Sequence, residues 1–437
     1  MPPIRMIVLG AGARGMNAYA PYAEEYPQKL QIAAVAEPVA ARREAFAARY
    51  GLDGKHVFSD WREALAARVE AQAVLVSMQD RQHVEPACRA MAAGYDVLIE
   101  KPVALTPEDF AKVTAASRRT GRRAAVCHVL RYAPFFVALK RLIDEGTVGQ
   151  IVNVVHNENI GWWHMAHSYV RGNWRREEET SPIILAKSCH DMDILCYLIG
   201  ARCTTVASFG SLEHFKAENA PEGSAGRCLD CKYKDVCAYS AATIYLDMTK
   251  TKGYIRVACP DGVDYDARVK ALREGPYGRC VYRCDNDVCD HQSSILAFEN
   301  GVTACFNMSG FTAYDSGRTL RIMGTRGEIR AHMGADLIEV MDFCTRQKRI
   351  VDITGAVRNE YAHGGGDFAL TEAFVAYAAG RAPVTCGIED AAQSHLMCYA
   401  AEEARRSGTV VDVGEYTRRY EKAVEKEEAL FICEGGQ

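Results

Sequence analysis

No apolar run in the chain reaches the roughly 18 residues that span a bilayer. The opening Met1-Pro2-Pro3-Ile4-Arg5 also lacks the charged n-region and apolar h-region of a secretory signal. Basic residues form no block, and 52 Lys plus Arg stand against 56 Asp plus Glu, so there is no electrostatic footprint for a polyanion. Membrane and nucleic-acid partners are excluded on these grounds, a small neutral or polar ligand is favoured, and the expected compartment is the cytoplasm. Tryptophan is scarce, four in 437 residues, so its placement carries information. Cysteine is not scarce. Most of the 17 stand singly in apolar segments (Cys88, Cys127, Cys196, Cys305, Cys398), as reduced core cysteines do. The length predicts two or three domains with a core large enough to need no disulfide staples.

The first 128 residues alternate between strand and helix patterns. Ile4-Arg5-Met6-Ile7-Val8-Leu9 reads as a strand, then comes Gly10-Ala11-Gly12-Ala13-Arg14-Gly15 and a helical stretch to about Glu25. A G-x-G-x-x-G between strand and helix is a dinucleotide fingerprint in its proper setting. Gly10 permits the turn, Gly12 and Ala13-Arg14 bring backbone to a pyrophosphate, and Gly15 lets the helix pack closely with its N-terminus towards the phosphates. A second strand, Gln31 to Ala36, ends at Glu37, whose carboxylate would accept ribose hydroxyls and repel a 2′-phosphate, which favours NAD. Arg42 and Arg43 would suit NADP, but a solvated helix face accounts for both.

A helix at Trp61 to Ala66, a strand Ala73 to Ser77, a helix Val84 to Ala93, a strand Asp96 to Ile99, a helix Pro107 to Arg119 and a strand Ala124 to Cys127 complete a doubly wound parallel sheet. Ligands bind at the carboxyl ends of such strands. Those ends offer Ser77, Gln79 and His83, then Glu100-Lys101-Pro102, then His128 and Arg131. Lys101 is the expected catalytic residue, with Ser77, Gln79, His83, Glu100, Lys101 and His128 facing the cofactor.

These residues, followed by Arg131-Tyr132-x-Pro134 and Ile143-Asp144-Glu145-Gly146-x-x-Gly149, closely resemble the Gfo/Idh/MocA oxidoreductases, and the resemblance extends through Asp367-Phe368, Gly387 to Asp390 and Gly408-Thr409-Val410. It implies a Rossmann domain (1–128), then an α+β domain (129–413) built on a large open, mostly antiparallel sheet that often mediates homo-oligomers. It also implies a nicotinamide cofactor and sugar-like substrates. One departure is Met78-Gln79-Asp80, where many members have Thr-Pro-Asn.

Beyond the strand Ile151 to Val155, three of the four tryptophans gather in the run His156 to Trp174. Its Asn157, Trp162, His164, His167, Tyr169, Arg171 and Trp174 combine aromatic faces with hydrogen-bonding groups, as a sugar ring demands. Pro182 to Leu198 reads as one buried helix, on which Lys187, His190 and Asp191 fall at i, i+3 and i+4 on a single face. The resemblance implies that His190, with Asp193 three residues on, is the catalytic partner of Lys101. Many members carry a further aspartate four residues before that histidine; here the position is Ala186, with Lys187 beside it as a further catalytic candidate. Asp191 is grouped with the substrate residues.

An insert near 215–290 contains Cys228, Cys231 and Cys237 in a C-x2-C-x5-C pattern, with Cys280 or Cys284 as a fourth ligand. Three close thiolates in a polar segment of a reducing compartment suit a metal better than a disulfide, zinc first and an iron-sulfur cluster second, in a structural role. Asp287 to Gly324 reads as sheet strands with an Asn300-Gly301 turn, His363-Gly364-Gly365-Gly366-Asp367 as a flexible polar junction near the crevice, and the chain from Tyr416 as a charged helix with a disordered end.

The expected function is NAD-dependent oxidation of a secondary hydroxyl of a sugar or glycoside. Lys101 or His190 takes the hydroxyl proton, which for a lysine of free pKa about 10.4 requires its pKa to be lowered. Two other functions stay open: a redox-cycling glycosidase that oxidises, eliminates, hydrates and re-reduces with retained NAD, and a non-catalytic dinucleotide-binding protein.

Overall fold

The computed structural model describes residues 2–250, 253–260, 262–313, 317–357 and 362–434, with side chains as far as Ala429. Cys433 and the end expected to be disordered lie outside the described side chains.

Six short strands, β1 (Ile4–Leu9), β2 (Leu30–Ala36), β3 (Val57–Phe58), β4 (Ala73–Val76), β5 (Asp96–Ile99) and β6 (Ala124–Val126), form one sheet in the order β3-β2-β1-β4-β5-β6. Every pairing is parallel. Helices cover both faces of such a sheet, which is why β4 and β5 are apolar nearly throughout and buried at every position. The strand order reverses between β1 and β4, so the crevice beyond their carboxyl ends is the topological switch point. The glycine turn and the Lys101 turn stand on its two sides.

Nine strands, β7 (Ile151–Asn159), β8 (Cys203–Ser211), β9 (His291–Phe298), β10 (Thr303–Ser309), β11 (Arg318–Gly324), β12 (Gly327–His332), β13 (Leu337–Asp342), β14 (Lys348–Val351) and β15 (Val411–Asp412), form the second sheet, ordered β14-β13-β12-β11-β7-β10-β9-β8-β15. All its pairings are antiparallel except β7 with β10. The parallel pair requires a long crossover between its strands, and that crossover carries the crevice helices, β8, β9 and the cysteine-rich insert. Along β7 the side chains alternate, Val154, His156 and Glu158 buried beneath the helices and Asn157 turned to the outer face. That outer face also exposes Phe209 (65%), Ile295 (61%) and Ile350 (69%). No helix among the described residues is long and apolar enough to cross a membrane.

Two elements differ from the sequence reading. The helix expected over Pro182 to Leu198 is two, Ile183–Ala186 and Cys189–Ile199, broken at Lys187-Ser188. The charged helix expected from Tyr416 starts at Val413 and packs on the helix Pro107–Thr120, Phe110 meeting the Tyr420 ring and the Tyr420 hydroxyl bonding Thr114 Oγ1 at 3.1 Å.

Candidate active site

At the end of β1, Gly10 adopts φ +97°, and a Cβ there would lie 2.6 Å from the Ser77 carbonyl oxygen. The Ser77 hydroxyl donates to the Gly10 carbonyl at 2.8 Å, which fixes the turn from below. Nothing stands within 4 Å of where a Gly12 Cβ would be, so the turn keeps the open concave side that a pyrophosphate needs. Glu37 is buried at the end of β2 and accepts from the Ala11 and Val39 backbone N–H groups at 2.8 and 3.0 Å. Gly10, Gly12, Gly15 and Glu37 thus fit a dinucleotide, with Glu37 at the ribose end. Arg43 donates to the carbonyls of Glu37 and Pro38, so it caps the strand end instead of standing on a solvated face.

Across the crevice the Lys101-Pro102 peptide is cis and the Lys101 ammonium donates to the Ala186 carbonyl oxygen. The helix break makes this possible, because the first bonds of the second helix run to the Ser188 carbonyl and leave that of Ala186 unclaimed. A backbone oxygen therefore stands at the position where the family resemblance implied an aspartate. Glu100 accepts from Arg14 Nε at 2.6 Å and from the Tyr19 hydroxyl at 2.5 Å. Burial pushes the Glu100 carboxyl up, but the Arg14 and Lys101 charges outweigh it and hold the pKa below the ordinary value. Arg14 also pairs with Asp367, which accepts from His363 Nδ1 at 2.8 Å. The Arg14 side chain thus bridges the two domains, and the predicted polar junction at His363 to Asp367 does reach the crevice.

His190 is 6% exposed, lies 6.1 Å from the His363 ring and 5.7 Å from that of His128, and keeps a buried Nδ1 without a partner. Burial, then the charges of Lys101, His128 and His363, push its pKa well below the ordinary value. It is neutral at neutral pH.

Lys187 does not pair with Asp191 along a helix, since the break separates them. Its ammonium lies 3.3 Å from Glu158, and Glu158 also pairs with Arg318 at 2.5 Å. Arg318 Nε donates to Asp191 Oδ1 at 2.7 Å, and His156 Nε2 lies 2.7 Å from the same oxygen. Burial lowers the Lys187 pKa, Glu158 opposes this, and Arg318 adds to the lowering. His156 and Glu158 belong to the run read as substrate-binding but were not singled out within it, and Arg318 was absent from the expected site. The period of two along β7 would have put His156 and Glu158 on one face, whereas nothing around Arg318 in the sequence announces it.

Several expected residues stand elsewhere. Asp193 does not orient His190: it takes a bidentate pair from Arg131 at 2.7 and 2.8 Å, a geometry a fork-shaped guanidinium fills better than an imidazole. Among the described residues His128, Asp193 and Cys386 are the one donor group compact enough for a metal ion, but Arg131 already supplies the cation Asp193 needs. His128 has no exposed surface and its Nε2 lies 3.3 Å from the Ser394 hydroxyl, so it stands behind His190 and not against a dinucleotide. His83 has its ring nitrogens 2.7 and 3.1 Å from the Pro102 and Met78 carbonyls and ties the two turns together. Gln79 is exposed beside it. Asn157 lies on the outer face of its sheet, bonded to Thr319 and Asn307 at 3.0 Å each, away from the crevice. Trp162 packs on the core of the insert, and His167 stacks on Tyr277 at 4.8 Å and reaches the Tyr245 hydroxyl at 2.9 Å. Arg171 points the same way. His164, Tyr169 and Trp174 remain on the crevice side, Trp174 donating to Asp80 at 3.2 Å and the Tyr169 ring 6.1 Å from His164.

The sequence profile of the oxidoreductase family's NAD-binding Rossmann fold matches residues 4–128, and that of its C-terminal alpha/beta domain matches residues 140–413. The chain belongs to the Gfo/Idh/MocA oxidoreductases. Within this family it is 24% identical over 313 residues to the oxidoreductase YteT of Bacillus subtilis (68% of this chain, 71% of that one). It is 31% identical over 218 residues to the inositol 2-dehydrogenase of Streptomyces avermitilis (49% and 58%), and 27% over 148 residues to the 2,7-anhydro-N-acetylneuraminate hydratase of Escherichia coli (34% and 39%). The match thus spans little more than half of the second relative and less of the third. A levoglucosan dehydrogenase in complex with NADH and levoglucosan shares the Gfo/Idh/MocA fold, at a TM-score of 0.68 and 19% identity over 94% of this chain and 99% of that one.

In the insert of this Gfo/Idh/MocA chain, Cys228, Cys231, Cys237 and Cys280 line one cavity of about 20 Å³. Backbone hydrogen bonds bring them there: Cys280 N–H donates to Gly226 at 2.9 Å and Cys231 N–H to Cys228 at 3.2 Å. Cys284 is not among the lining residues; its sulfur lies 3.3 Å from the Cys280 carbonyl.

Proposed function

We propose that the protein is a dehydrogenase that oxidises a secondary hydroxyl of a sugar or sugar derivative, with NAD held by Gly10, Gly12, Ala13, Arg14, Gly15 and Glu37. The observation that carries this is the convergence, beyond the switch point of the first sheet, of Lys101 held by the Ala186 carbonyl with a neutral His190 whose Nδ1 has no partner. The bound dinucleotide supplies the two-electron acceptor. The chain's own groups handle the proton: His190 is unprotonated and so able to accept it, though its lowered pKa weakens it as a base, and the Lys101 ammonium fixes the hydroxyl oxygen and stabilises charge developing on it. Lys187 and Arg318, paired with Glu158 and Asp191, make the inner wall polar and charge-balanced, and His164, Tyr169 and Trp174 offer ring faces and polar edges to a sugar. The buried Glu37 carboxylate favours NAD over NADP.

Replacing Lys101 by Ala is expected to lower turnover about 10²–10⁴-fold while NAD still binds, as measured by fluorescence titration and by nicotinamide reduction over a panel of inositols and sugars. Near-normal turnover in that variant sinks the assignment, and a wild-type protein inert with the whole panel favours a non-catalytic dinucleotide-binding protein.

A redox-neutral glycosidase cycle is the second reading, and the hydratase among the relatives favours it, because adding water to a sugar leaves no net oxidation. It needs acid-base groups beyond those of a dehydrogenase. With His128 and His167 turned away from the crevice, fewer are on hand, and simple oxidation stays ahead. Aryl glycosides incubated without added cofactor separate the two: aglycone release over many turnovers establishes the cycle, stoichiometric NADH with an intact glycosidic bond excludes it. The exposed Phe209, Ile295 and Ile350 support a homo-oligomer through the outer sheet face, testable by light scattering on an Ile295→Asp variant.

A further inference from the structure

Two buried guanidinium groups lie in and beside the cysteine-rich insert, and they are not equally served. Arg268, 1% exposed, places Nε, Nη1 and Nη2 on the carbonyl oxygens of Val263, Tyr245, Asp247 and Lys250, at 2.7 to 3.1 Å. Arg171, equally buried, reaches the Arg279 and Tyr239 carbonyls at 2.8 Å and the Cys228 sulfur at 3.4 Å, but its Nη1 has no partner. Among the described residues no carboxylate lies within ion-pair distance of it. Ser240, with no exposed surface, likewise has an unpartnered Oγ. Arg171 and Ser240 both line the cavity that Cys228, Cys231, Cys237 and Cys280 surround. A buried cation and a buried hydroxyl left unsatisfied on residues that line one cavity call for an anionic occupant with acceptor atoms.

The spacing of the thiols narrows its identity. A tetrahedral zinc with Zn–S bonds of about 2.3 Å brings its sulfurs to within about 3.8 Å of one another. Among the described residues no three cysteine sulfurs lie within 4.8 Å of one another. The four cysteines line a cavity of about 20 Å³, larger than the roughly 10–15 Å³ that one water fills. A four-iron cluster spreads its ligands over the corners of a cube, wants a wider ring than one ion does, and carries inorganic sulfides that accept hydrogen bonds.

We propose that Cys228, Cys231, Cys237 and Cys280 bind a [4Fe–4S] cluster, with Arg171 as its charge partner and Arg171 Nη1 and Ser240 Oγ as donors to its sulfurs. The four thiols lose their protons as they ligate, and the negative charge so created answers Arg171. Arg171 leaves from the same helical segment that presents His164 and Tyr169 to the crevice, so the cluster fastens the insert to the wall of the active site. Its role is positional.

The test is metal and sulfide analysis of the full chain, purified without oxygen and then reconstituted with equal amounts of ferric and ferrous iron and with sulfide. About four iron and about four labile sulfide per chain, with a brown chromophore bleached by dithionite, are expected. Cys284→Ser is expected to keep this content and Cys231→Ser to lose it. One zinc per chain without iron, no metal after reconstitution, or equal iron in Cys231→Ser overturns the proposal. The wild-type analysis stands whether or not the variant folds.

Discussion

Arg318 and Arg171 are both long cations buried in the second domain, one on the crevice wall and one under the insert. Arg318 sits between Asp191 and Glu158, which in turn engage His156 and Lys187, so five charged or ionisable groups close on one another. Arg171 has carbonyls and a thiol. A buried charge costs several kcal/mol unless another charge and further hydrogen bonds answer it. In the crevice network every charge meets an opposite one, even though the buried His156 Nδ1 has no hydrogen-bond partner, whereas Arg171 meets no opposite charge among the described residues. The first is therefore a preformed wall of the crevice, and the second, on the proposal above, is a site whose stability depends on an occupant.

Breaking the charge-paired network is expected to cost most. Asp191→Ala leaves Arg318 and His156 without their shared anion, and a loss of about 3–5 kcal/mol in urea unfolding is expected. A loss below about 1 kcal/mol would mean that water replaces the carboxylate and that the wall is not preformed. Arg171→Met sharpens the contrast through its sign. In metal-free protein it removes an unanswered charge and should be neutral or stabilising by up to about 1–4 kcal/mol, while in protein loaded with iron and sulfide the same change should destabilise. Equal effects in both states would make the two arginines alike after all.

Acid separates the regions by a smaller step. Burial, then the Arg171 charge, push His167 down to about 4, so the unfolded chain binds a proton that the folded one refuses between about 6.5 and 4. Stability present above about pH 6.5 is accordingly lost as pH falls to about 4, at up to about 1.4 kcal/mol per pH unit for this group. His167→Phe should flatten that part of the denaturation profile, and an unchanged slope would show that His167 does not titrate with unfolding. The smallest effect is expected for Asn157→Ala, which gives up two hydrogen bonds on the outer sheet face. About 1 kcal/mol of stability and no change in kcat or KM are expected, and a raised KM would return Asn157 to the substrate side.

The first sheet was readable because period, glycine spacing and strand-end residues agree at each element. Ile4 to Leu9 leads into a turn where only glycine fits at Gly10, and the buried strand Asp96 to Ile99 presents Lys101 at its end. The crevice wall from the second domain was readable only in part. Lys187, His190 and Asp191 were seen, but continuing one helix through all three put Lys187 on the wrong partner, because a break that frees a carbonyl for Lys101 is a tertiary event with no local signal. Arg318 arrives from a strand more than a hundred residues downstream, and its two carboxylates meet only when β7 and β11 pair. The aromatic run failed for a different reason. Trp162, His167 and Arg171 have the composition of a sugar site, but composition cannot say which side of a helical segment faces a crevice and which faces an insert with a core of its own.

The parallel pairing of β7 with β10 joins residues as far apart as Asn157 and Asn307, 150 positions along the chain. Closing that loop costs entropy only as the logarithm of its length, about 0.6 kcal/mol for each doubling. Lengthening the excursion is therefore thermodynamically cheap, which is why a cysteine-rich insert with its own core can ride on this crossover without disturbing the sheet. The same separation slows assembly, because the central strand pair cannot form until the whole excursion has been gathered in. Fragments ending before Thr303 should leave β7 without the partner that closes its sheet, and during synthesis the second domain should remain open until β10 has emerged.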